Sequence, residues 1–155
     1  MERKLELWDI SGYLPYGLKM KFAGTNDIRS DEAKIIKGVK FGESFYPILL
    51  PLSDLYKTIT HNGKEIVPIV ELAKISYENN DWFLNSHSNA ECENYIFDYS
   101  GRSFWCIDAK KQYTNRVYFQ IDLFDFMNEL KIDYRGLIDS DLAISVYDLP
   151  ENPYE

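Results

Sequence analysis

The strongest constraint on the fold is an Asn-Gly pair at residues 62 and 63, inside the segment "YKTITHNGKEIV". β-Forming residues alternate with polar ones on both sides of the pair. Both residues tolerate the left-handed backbone of a two-residue turn, so the pattern is typical of a β-hairpin. The next segment, "PIVELAKISY", places Ile69, Leu72 and Ile75 at helical spacing. The chain is therefore expected to combine antiparallel strands with helices.

A second informative segment is "YLPYGLKMKF", residues 13–22. The residues before it have a rough helical period, which predicts a short first helix ending near Ser11-Gly12. Pro15 and Gly17 then predict a turn. Proline restricts the backbone angles, glycine permits angles outside the helical range, and neither residue favours continuation of a helix. Residues 18–23 alternate between apolar and basic, which predicts a half-buried strand. The segment is therefore interpreted as architecture, a helix leading through a turn into a strand.

The region from residue 25 to residue 55 carries three further predictions. "TNDIRSDE" is interpreted as a polar loop, and "AKIIKGVKF" as a return to β-structure with Gly38 at a bulge or bend. Pro47 and Pro51 are expected to prevent regular strand pairing at their positions, because proline has no backbone N–H. Ser53-Asp54 is expected to cap a single turn.

The rest of the chain completes an α+β pattern. The predictions are loop and irregular β-structure over 78–98, strands in "RSFWCID" and "NRVYFQI" joined by the basic turn "AKKQYT", an amphipathic helix in "DLFDFMNELKI", a strand over 142–147 and a frayed tail "PENPYE". We find no repeat or linker. The sequence therefore predicts one α+β domain over 1–155, with a mainly antiparallel sheet and two or three helices on one side.

Composition limits the class of protein. A chain of 155 residues with 45% hydrophobic residues can bury a core, and no apolar run approaches the roughly 20 residues of a membrane span. The start, "MERKLELWDI", contains acids where a signal peptide needs an apolar run. Cys92 and Cys106 have no CxxC spacing, which suits a reducing compartment. We therefore expect a cytoplasmic protein without membrane contact.

The charge is unevenly distributed along the chain. The net charge is −8, yet residues 1–50 have eight bases and seven acids, and residues 51–155 have nine bases and eighteen acids. A surface of this sign repels phosphate backbones, so direct nucleic-acid binding is not expected. It could instead direct the protein to a basic groove on a partner. Acidity that merely keeps a small protein in solution is the commoner explanation.

Candidate catalytic and metal-binding groups are few. Nucleophilic chemistry would have to use His61, His87, Cys92 or Cys106, and a Mg²⁺ site would have to draw on Glu91, Glu93, Asp98 and Asp108. The histidines and cysteines lack zinc-site spacing, and the sequence contains none of the GxGxxG, GxSxG or HExxH motifs. We therefore expect a non-enzyme without a cofactor or metal, with a small Mg²⁺-dependent hydrolase or nuclease as the alternative.

An acidic row in the C-terminal half is the main candidate binding site. Asp122, Asp125 and Glu129 follow i, i+3, i+7 spacing, so their carboxylates are expected on one exposed stripe of a helix. One helical turn of about 5.4 Å is comparable with the phosphate spacing of a nucleic-acid strand. The predicted partner-binding residues are Asp122, Asp125, Glu129, Asp133, Asp139 and Asp141. A solvated helix face remains the simpler alternative.

Four segments carry a family resemblance. They are "YLPYGLK" at 13–19, "PILLPLSDL" at 47–55, "HNGKEIVPI" at 61–69 and "GLIDSDLAISV" at 136–146. In these motifs the chain resembles a family of small phage and prophage proteins of Bacteroidota, in which no catalytic residues are known. Residues 78–120 diverge from that pattern, and Asp141 stands where the family often has a second glycine.

The resemblance implies an accessory protein of a mobile element that acts inside a bacterial cell. By analogy with small acidic phage proteins, it suggests an anti-CRISPR-like inhibitor of a type VI RNA-guided RNase. The leading hypothesis is a non-catalytic protein that inhibits a host defence system by binding the basic nucleic-acid channel of an effector. The second alternative, beside the Mg²⁺ hydrolase, is a structural or adaptor phage protein that binds through some of its 12 tyrosines.

Overall fold

The computed structural model describes residues 3–111 and 113–155. It is an α+β protein with 28% helix and 26% strand, which confirms the predicted class. Seven of the eight strand pairings between named strands over these residues are antiparallel, as expected. The chain divides into two compact units, Met1–Leu52 with Met127–Glu155 (the first unit) and Ser53–Phe126 (the second unit).

The helices and strands are numbered in chain order. The α-helices are α1 (Leu7–Ile10), α2 (Glu32–Lys40), α3 (Pro68–Ser76) and α4 (Ile121–Glu129). The strands are β1 (Met20–Phe22), β2 (Ile28–Arg29), β3 (Phe45–Leu49), β4 (Ile59–His61), β5 (Lys64–Ile66), β6 (Phe83–Leu84), β7 (Ala90–Glu91), β8 (Tyr95–Ser100), β9 (Ser103–Asp108), β10 (Tyr113–Arg116) and β11 (Ile144–Ser145). Over the described residues, every helix is too short or too polar to cross a lipid bilayer.

The start of the chain follows its predicted structure. α1 ends at Ile10, and a 3₁₀-helix over Leu14–Tyr16 ends at Gly17, whose φ of 75° is in the left-handed region that favours glycine. Tyr13 is fully buried, and its hydroxyl donates a hydrogen bond of 2.7 Å to the carbonyl of Ile132. The turn therefore anchors the entry into β1 on the core of the first unit.

The strand predicted in "AKIIKGVKF" is wrong, because this segment forms α2. Asp31 caps the helix by accepting the backbone N–H of Lys34 at 3.1 Å. Ile35 is buried, and a Cβ added at Gly38 would lie 2.0 Å from the ring of Phe45. Gly38 is thus a point of close helix packing instead of a strand bulge. The preceding polar loop also contains β2.

Pro47 lies inside a regular strand, contrary to expectation. The first-unit sheet has the order β11-β3-β1-β2, so β3 is an internal strand. Ile48 N–H donates to Lys19 C=O, and Ala23 N–H donates to Ser44 C=O, on either side of the pair Met20–Pro47. Because hydrogen-bonded pairs alternate along antiparallel strands, Pro47 occupies a position that donates no bond to β1. Pairing with β11 starts only at Ile48, so the missing N–H costs nothing.

The C-terminal tail is not frayed, and that prediction is also wrong. The Tyr154 hydroxyl accepts the Lys19 N–H at 2.9 Å and donates to the Ile48 carbonyl at 2.8 Å. The Lys19 ammonium donates to the Pro153 carbonyl at 2.7 Å, and the Lys131 ammonium lies 4.8 Å from the Tyr154 ring centroid. Burial raises the pKa of Tyr154 well above its ordinary value. The tail is therefore fixed by one half-buried tyrosine to Lys19, directly before β1, and to Ile48 of β3.

The second unit contains the predicted hairpin and a five-stranded sheet. β4 and β5 flank Asn62 and Gly63, which both have positive φ, so the hairpin prediction is confirmed. The sheet has the order β10-β9-β8-β7-β6 and is antiparallel throughout. Its core includes Phe104, whose ring centroid lies 5.7 Å from Phe97 and 5.3 Å from Phe124. β10 is an edge strand and ends at Arg116, earlier than the predicted strand.

Candidate functional site

The structure separates the six predicted acidic contact residues into different surroundings. Asp122 and Asp125 are exposed and lie one turn apart on α4, whereas Glu129 at the end of this helix is half-buried. Asp139 and Asp141 are exposed in the segment before β11. Asp122 and Asp125 belong to the second unit, and the other four belong to the first. The two aspartates at the start of α4 are therefore the members that match the expected exposed stripe.

Asp133 does not fit the predicted exposed row. Its side chain is only 5% exposed, and its two carboxylate oxygens accept the backbone N–H groups of Leu137 at 2.9 Å and Ile138 at 2.8 Å. A carboxylate that accepts two backbone hydrogen bonds fixes a turn and is not available to a partner. The prediction that Asp133 belongs to an exposed acidic row is therefore wrong, because backbone N–H groups a few residues later in the chain already occupy its carboxylate.

Asp141 is exposed but is not in a purely acidic environment. It lines a crevice of about 610 Å³ in the first unit together with Arg3, Lys4 and Lys40. The negative charge counted along the sequence is thus locally offset by bases from other segments of this unit. Net charge along a chain does not map directly onto an acidic face.

The second unit exposes an aromatic patch that the sequence analysis assigned to a strand. Tyr118 is 88% exposed, Phe119 is 76% exposed and Ile121 is 75% exposed. The rings of Tyr118 and Phe119 contact each other edge to face, with centroids 4.7 Å apart. Single exposed apolar residues are normal on protein surfaces, but three large ones within four positions form a patch. Tyr118, Phe119 and Ile121 are called the aromatic patch below.

Gln120 explains why the chain presents these side chains outward. Its amide accepts the N–H of Phe104 at 3.0 Å and donates to the carbonyls of Phe104 at 3.1 Å and Val117 at 3.0 Å. Val117 is buried, and its N–H also donates to Phe104 C=O. The Gln120 side chain thus forms with Phe104 of β9 the hydrogen bonds that the backbone of a neighbouring strand would form. Residues 118 and 119 are therefore held away from the core.

The patch adjoins the acidic start of α4. A shallow hollow of about 320 Å³ is lined by Ile75, Tyr118, Phe119 and Asp122, with further side chains from α3 and α4. Ile75 is itself 42% exposed. A single surface of the second unit therefore combines large apolar side chains with exposed carboxylates. The sequence signal for these exposed side chains is in "VYFQID", where the apolar residues are consecutive and do not alternate with polar residues as in a half-buried strand.

The cysteines and histidines do not show an activated pair. Cys92 and Cys106 are both buried and unpaired, and burial raises the pKa of the Cys106 thiol. A thiol with a raised pKa carries less thiolate at neutral pH, which disfavours nucleophilic attack. Tyr77, whose pKa is raised to about 12 mainly by burial, contacts the same thiol. His87 lies on an exposed turn, and the His61 ring packs against Phe126.

The carboxylates of the alternative Mg²⁺ site have separate structural roles. Asp98 accepts the Tyr56 hydroxyl at 3.1 Å, and the Asp108 carboxylate accepts the backbone N–H groups of Lys111 and Lys110, which lower its pKa. Asp98 pairs with Trp105 and Asp108 with Tyr95 in the β8–β9 register, which puts the two aspartates on opposite faces of the sheet. Over residues 3–111 and 113–155 no group of three potential ligands is positioned to hold a metal ion.

Comparison of the chain with protein-family models, curated proteins and solved structures gives no match. The resemblance to phage and prophage proteins therefore stays a prediction. The assignment of function depends on the surface of the second unit described above.

Proposed function

We propose that this protein is a non-catalytic binding protein that docks its aromatic patch, with Asp122 and Asp125, onto another protein. The observation that carries the proposal is the exposure of Tyr118, Phe119 and Ile121, at 75% or more each, on one segment. Leaving such side chains in water is unfavourable by about 25 cal/mol per Å² of apolar area. Aromatic residues are enriched at protein interfaces, and tyrosine is among the residues that most often provide the binding energy.

The neighbouring charges define the chemistry of the partner. Asp122 and Asp125 follow the patch directly, so the complementary surface is an apolar pocket bordered by lysine or arginine. Acids in the first turn also stabilise a helix through its dipole, and this explains Asp122 without a partner. The apolar side chains beside it have no such structural explanation. A second copy of the chain is a poor partner for this surface because the net charge of −8 opposes self-association.

The finer form of the proposal follows the sequence hypothesis. The partner is a host defence protein, with a type VI CRISPR effector as the first candidate, and binding blocks its basic nucleic-acid channel. The aromatic patch would anchor the complex, and the carboxylates would occupy positions otherwise taken by phosphates. Of the six predicted acids, this proposal keeps Asp122 and Asp125, the two that are exposed in the second unit.

The test compares tagged wild-type protein with two patch variants in pull-downs from a Bacteroidota host that expresses its defence systems. One variant is Phe119→Ser with Ile121→Ser, and the other is Asp122→Lys with Asp125→Lys. The matched control reverses two exposed acids elsewhere in the second unit, Glu65→Lys and Asp81→Lys.

A partner captured by wild type and control, but lost by at least tenfold with both patch variants, would support the proposal. Purified partner should then bind with an affinity that falls as salt rises, because the contact includes exposed charges. Equal capture by all four proteins would show that the patch is not the interface. Elution of the pure chain as a dimer that only the apolar variant disrupts would instead assign the patch to self-association, against the proposal.

A further inference from the structure

The aromatic patch together with Asp122 and Asp125 is called the docking surface below. A second hollow of the second unit, about 390 Å³ in volume, has a different character from this surface. It is lined by Arg102 and Arg116, by Tyr118 and Phe124, and by Val117 and Gln120. Arg102 belongs to the turn between β8 and β9, and Arg116 is the last residue of β10. Two cations therefore share one hollow with two aromatic side chains, in a chain whose net charge is −8.

The polar groups of this hollow are mainly unused donors. Within residues 3–111 and 113–155, the guanidinium groups of the two arginines form neither an ion pair nor a hydrogen bond. The amide of Gln120 is already occupied by three hydrogen bonds to Phe104 and Val117. A ligand here must therefore supply acceptors, and two guanidinium groups favour an anion over a neutral acceptor.

The backbone at Arg102 adds an independent observation. The β8–β9 hairpin turns through Gly101 and Arg102, and both have positive φ, 57° and 62°. The second position of such a turn strongly prefers glycine, and an arginine there is held in a conformation that L-residues disfavour. Strained residues of this kind are concentrated at binding and active sites. The turn thus presents the Arg102 side chain at a local conformational cost that glycine would avoid.

We propose that this hollow binds a small ligand in which an oxyanion, carboxylate or phosphate, is attached to a planar apolar ring. Arg102 and Arg116 bind the oxyanion through paired, charge-assisted hydrogen bonds. Tyr118, the more exposed of the two aromatic side chains, packs against the ring, as aromatic groups do in offset or edge contacts. The volume lies within the usual range for small-molecule sites. This site shares Tyr118 with the aromatic patch but goes beyond the proposed function, because it uses neither Phe119 nor Ile121 nor the aspartates of α4.

Titration of the purified chain with three probes, followed by NMR and calorimetry, tests the site. The probes are phenyl phosphate, benzoate and inorganic phosphate. Saturable binding of at least one aromatic probe, at least tenfold tighter than inorganic phosphate, is expected. The preferred aromatic probe distinguishes a phosphate ligand from a carboxylate ligand.

Variants identify the groups responsible. Arg102→Gln and Arg116→Gln should each weaken the aromatic probe at least tenfold, whereas Lys64→Gln, which removes one exposed charge elsewhere in this unit, should change it less than twofold. Tyr118→Leu should remove the preference for the ring but keep the weak binding of phosphate. The variant Phe119→Ser with Ile121→Ser should bind the probes as wild type does, which separates this site from the docking surface. Absence of saturable binding, or equal binding by the Lys64 and arginine variants, would overturn the proposal.

Discussion

Tyr154 in the first unit and Tyr118 in the second unit both lie outside helices and strands, yet their surroundings are opposite. Tyr154 is held by the backbone of Lys19 and Ile48 and by the cation of Lys131. Tyr118 is 88% exposed, and its ring contacts only Phe119, itself exposed, among the aromatic pairs of the described residues. The first unit uses its irregular segments for anchoring, whereas the second unit uses one to expose apolar surface.

The acids show the same contrast. Asp133 in the first unit is buried and accepts two backbone N–H groups, whereas Asp122 in the second unit is exposed at the first turn of α4. The sequence prediction placed both in one acidic row, Asp122 by helical spacing and Asp133 by its sign. In both comparisons the exposed side chain belongs to residues 116–125 of the second unit. Four changes test how far that contrast holds.

The largest effect is expected for Phe104→Ala. Phe104 is fully buried and packs against Phe97, Tyr99 and Phe124, so its truncation should lower the free energy of unfolding by about 3–5 kcal/mol. Phe119→Ala, the matched exposed change, should cost less than about 0.5 kcal/mol. Urea denaturation followed by tryptophan fluorescence measures both. A comparable cost at Phe119 would mean that the patch stabilises the fold and would remove the contrast.

The next effect concerns the two kinds of acid. Asp133→Ala should lower the free energy of unfolding by about 1–3 kcal/mol, because the N–H groups of Leu137 and Ile138 lose their acceptor inside the protein. Asp122→Ala should change stability by less than about 0.5 kcal/mol, since it is exposed. Chemical denaturation at neutral pH is again the measurement. If Asp133→Ala were neutral, water would have to replace the carboxylate, and Asp133 could return to the contact surface.

Local signals allowed much of the fold to be predicted. The pair Asn62-Gly63 is enough to predict the β4–β5 hairpin. The helical spacing of Leu123, Met127 and Leu130 likewise agrees with the burial of these side chains in and directly after α4. The strand prediction for "AKIIKGVKF" is wrong because the cap at Asp31 and the helical spacing of Ile35 and Val39 favour a helix over the β-propensity of the segment. Helix capping outweighed strand propensity there.

The candidate site was harder to predict because it depends on contacts distant in sequence. The aromatic patch is exposed because Gln120 bonds to Phe104, sixteen residues earlier, and no local pattern reports that bond. The docking of Tyr154 depends on Lys19, 135 residues away. Asp122 and Asp125 were predicted correctly as exposed because helical spacing alone places them. The role of Asp133 required its turn to be known.

A smaller effect tests the anchoring of the tail. Tyr154→Phe removes one hydroxyl with two backbone partners and should lower the free energy of unfolding by about 1 kcal/mol at pH 7. Burial raises the pKa of Tyr154 above its ordinary 10.0, so the unfolded chain releases this proton first as pH rises. Wild-type stability should therefore fall above about pH 10, and the variant should fall less steeply.

Denaturation at pH 8 and at pH 11 measures that slope. Identical slopes for wild type and Tyr154→Phe would show that the tail is solvated and that the first unit is less ordered at its end than the contrast requires.

The smallest expected effect has the opposite sign. Arg102→Gly should raise the free energy of unfolding by about 0.5 kcal/mol, because glycine adopts the left-handed conformation at φ 62° without the penalty that arginine has there. Asn62→Gly, in the other hairpin of the same unit, should give no gain, because asparagine tolerates φ 51°. Denaturation of both variants decides this.

A gain in stability accompanied by loss of phenyl phosphate or benzoate binding would mean that the second unit retains Arg102 for the ligand and not for the fold. A loss of stability in Arg102→Gly would mean that this side chain supports the hairpin. The hollow would then be a structural feature like those of the first unit, and the contrast between the two units would be confined to the aromatic patch.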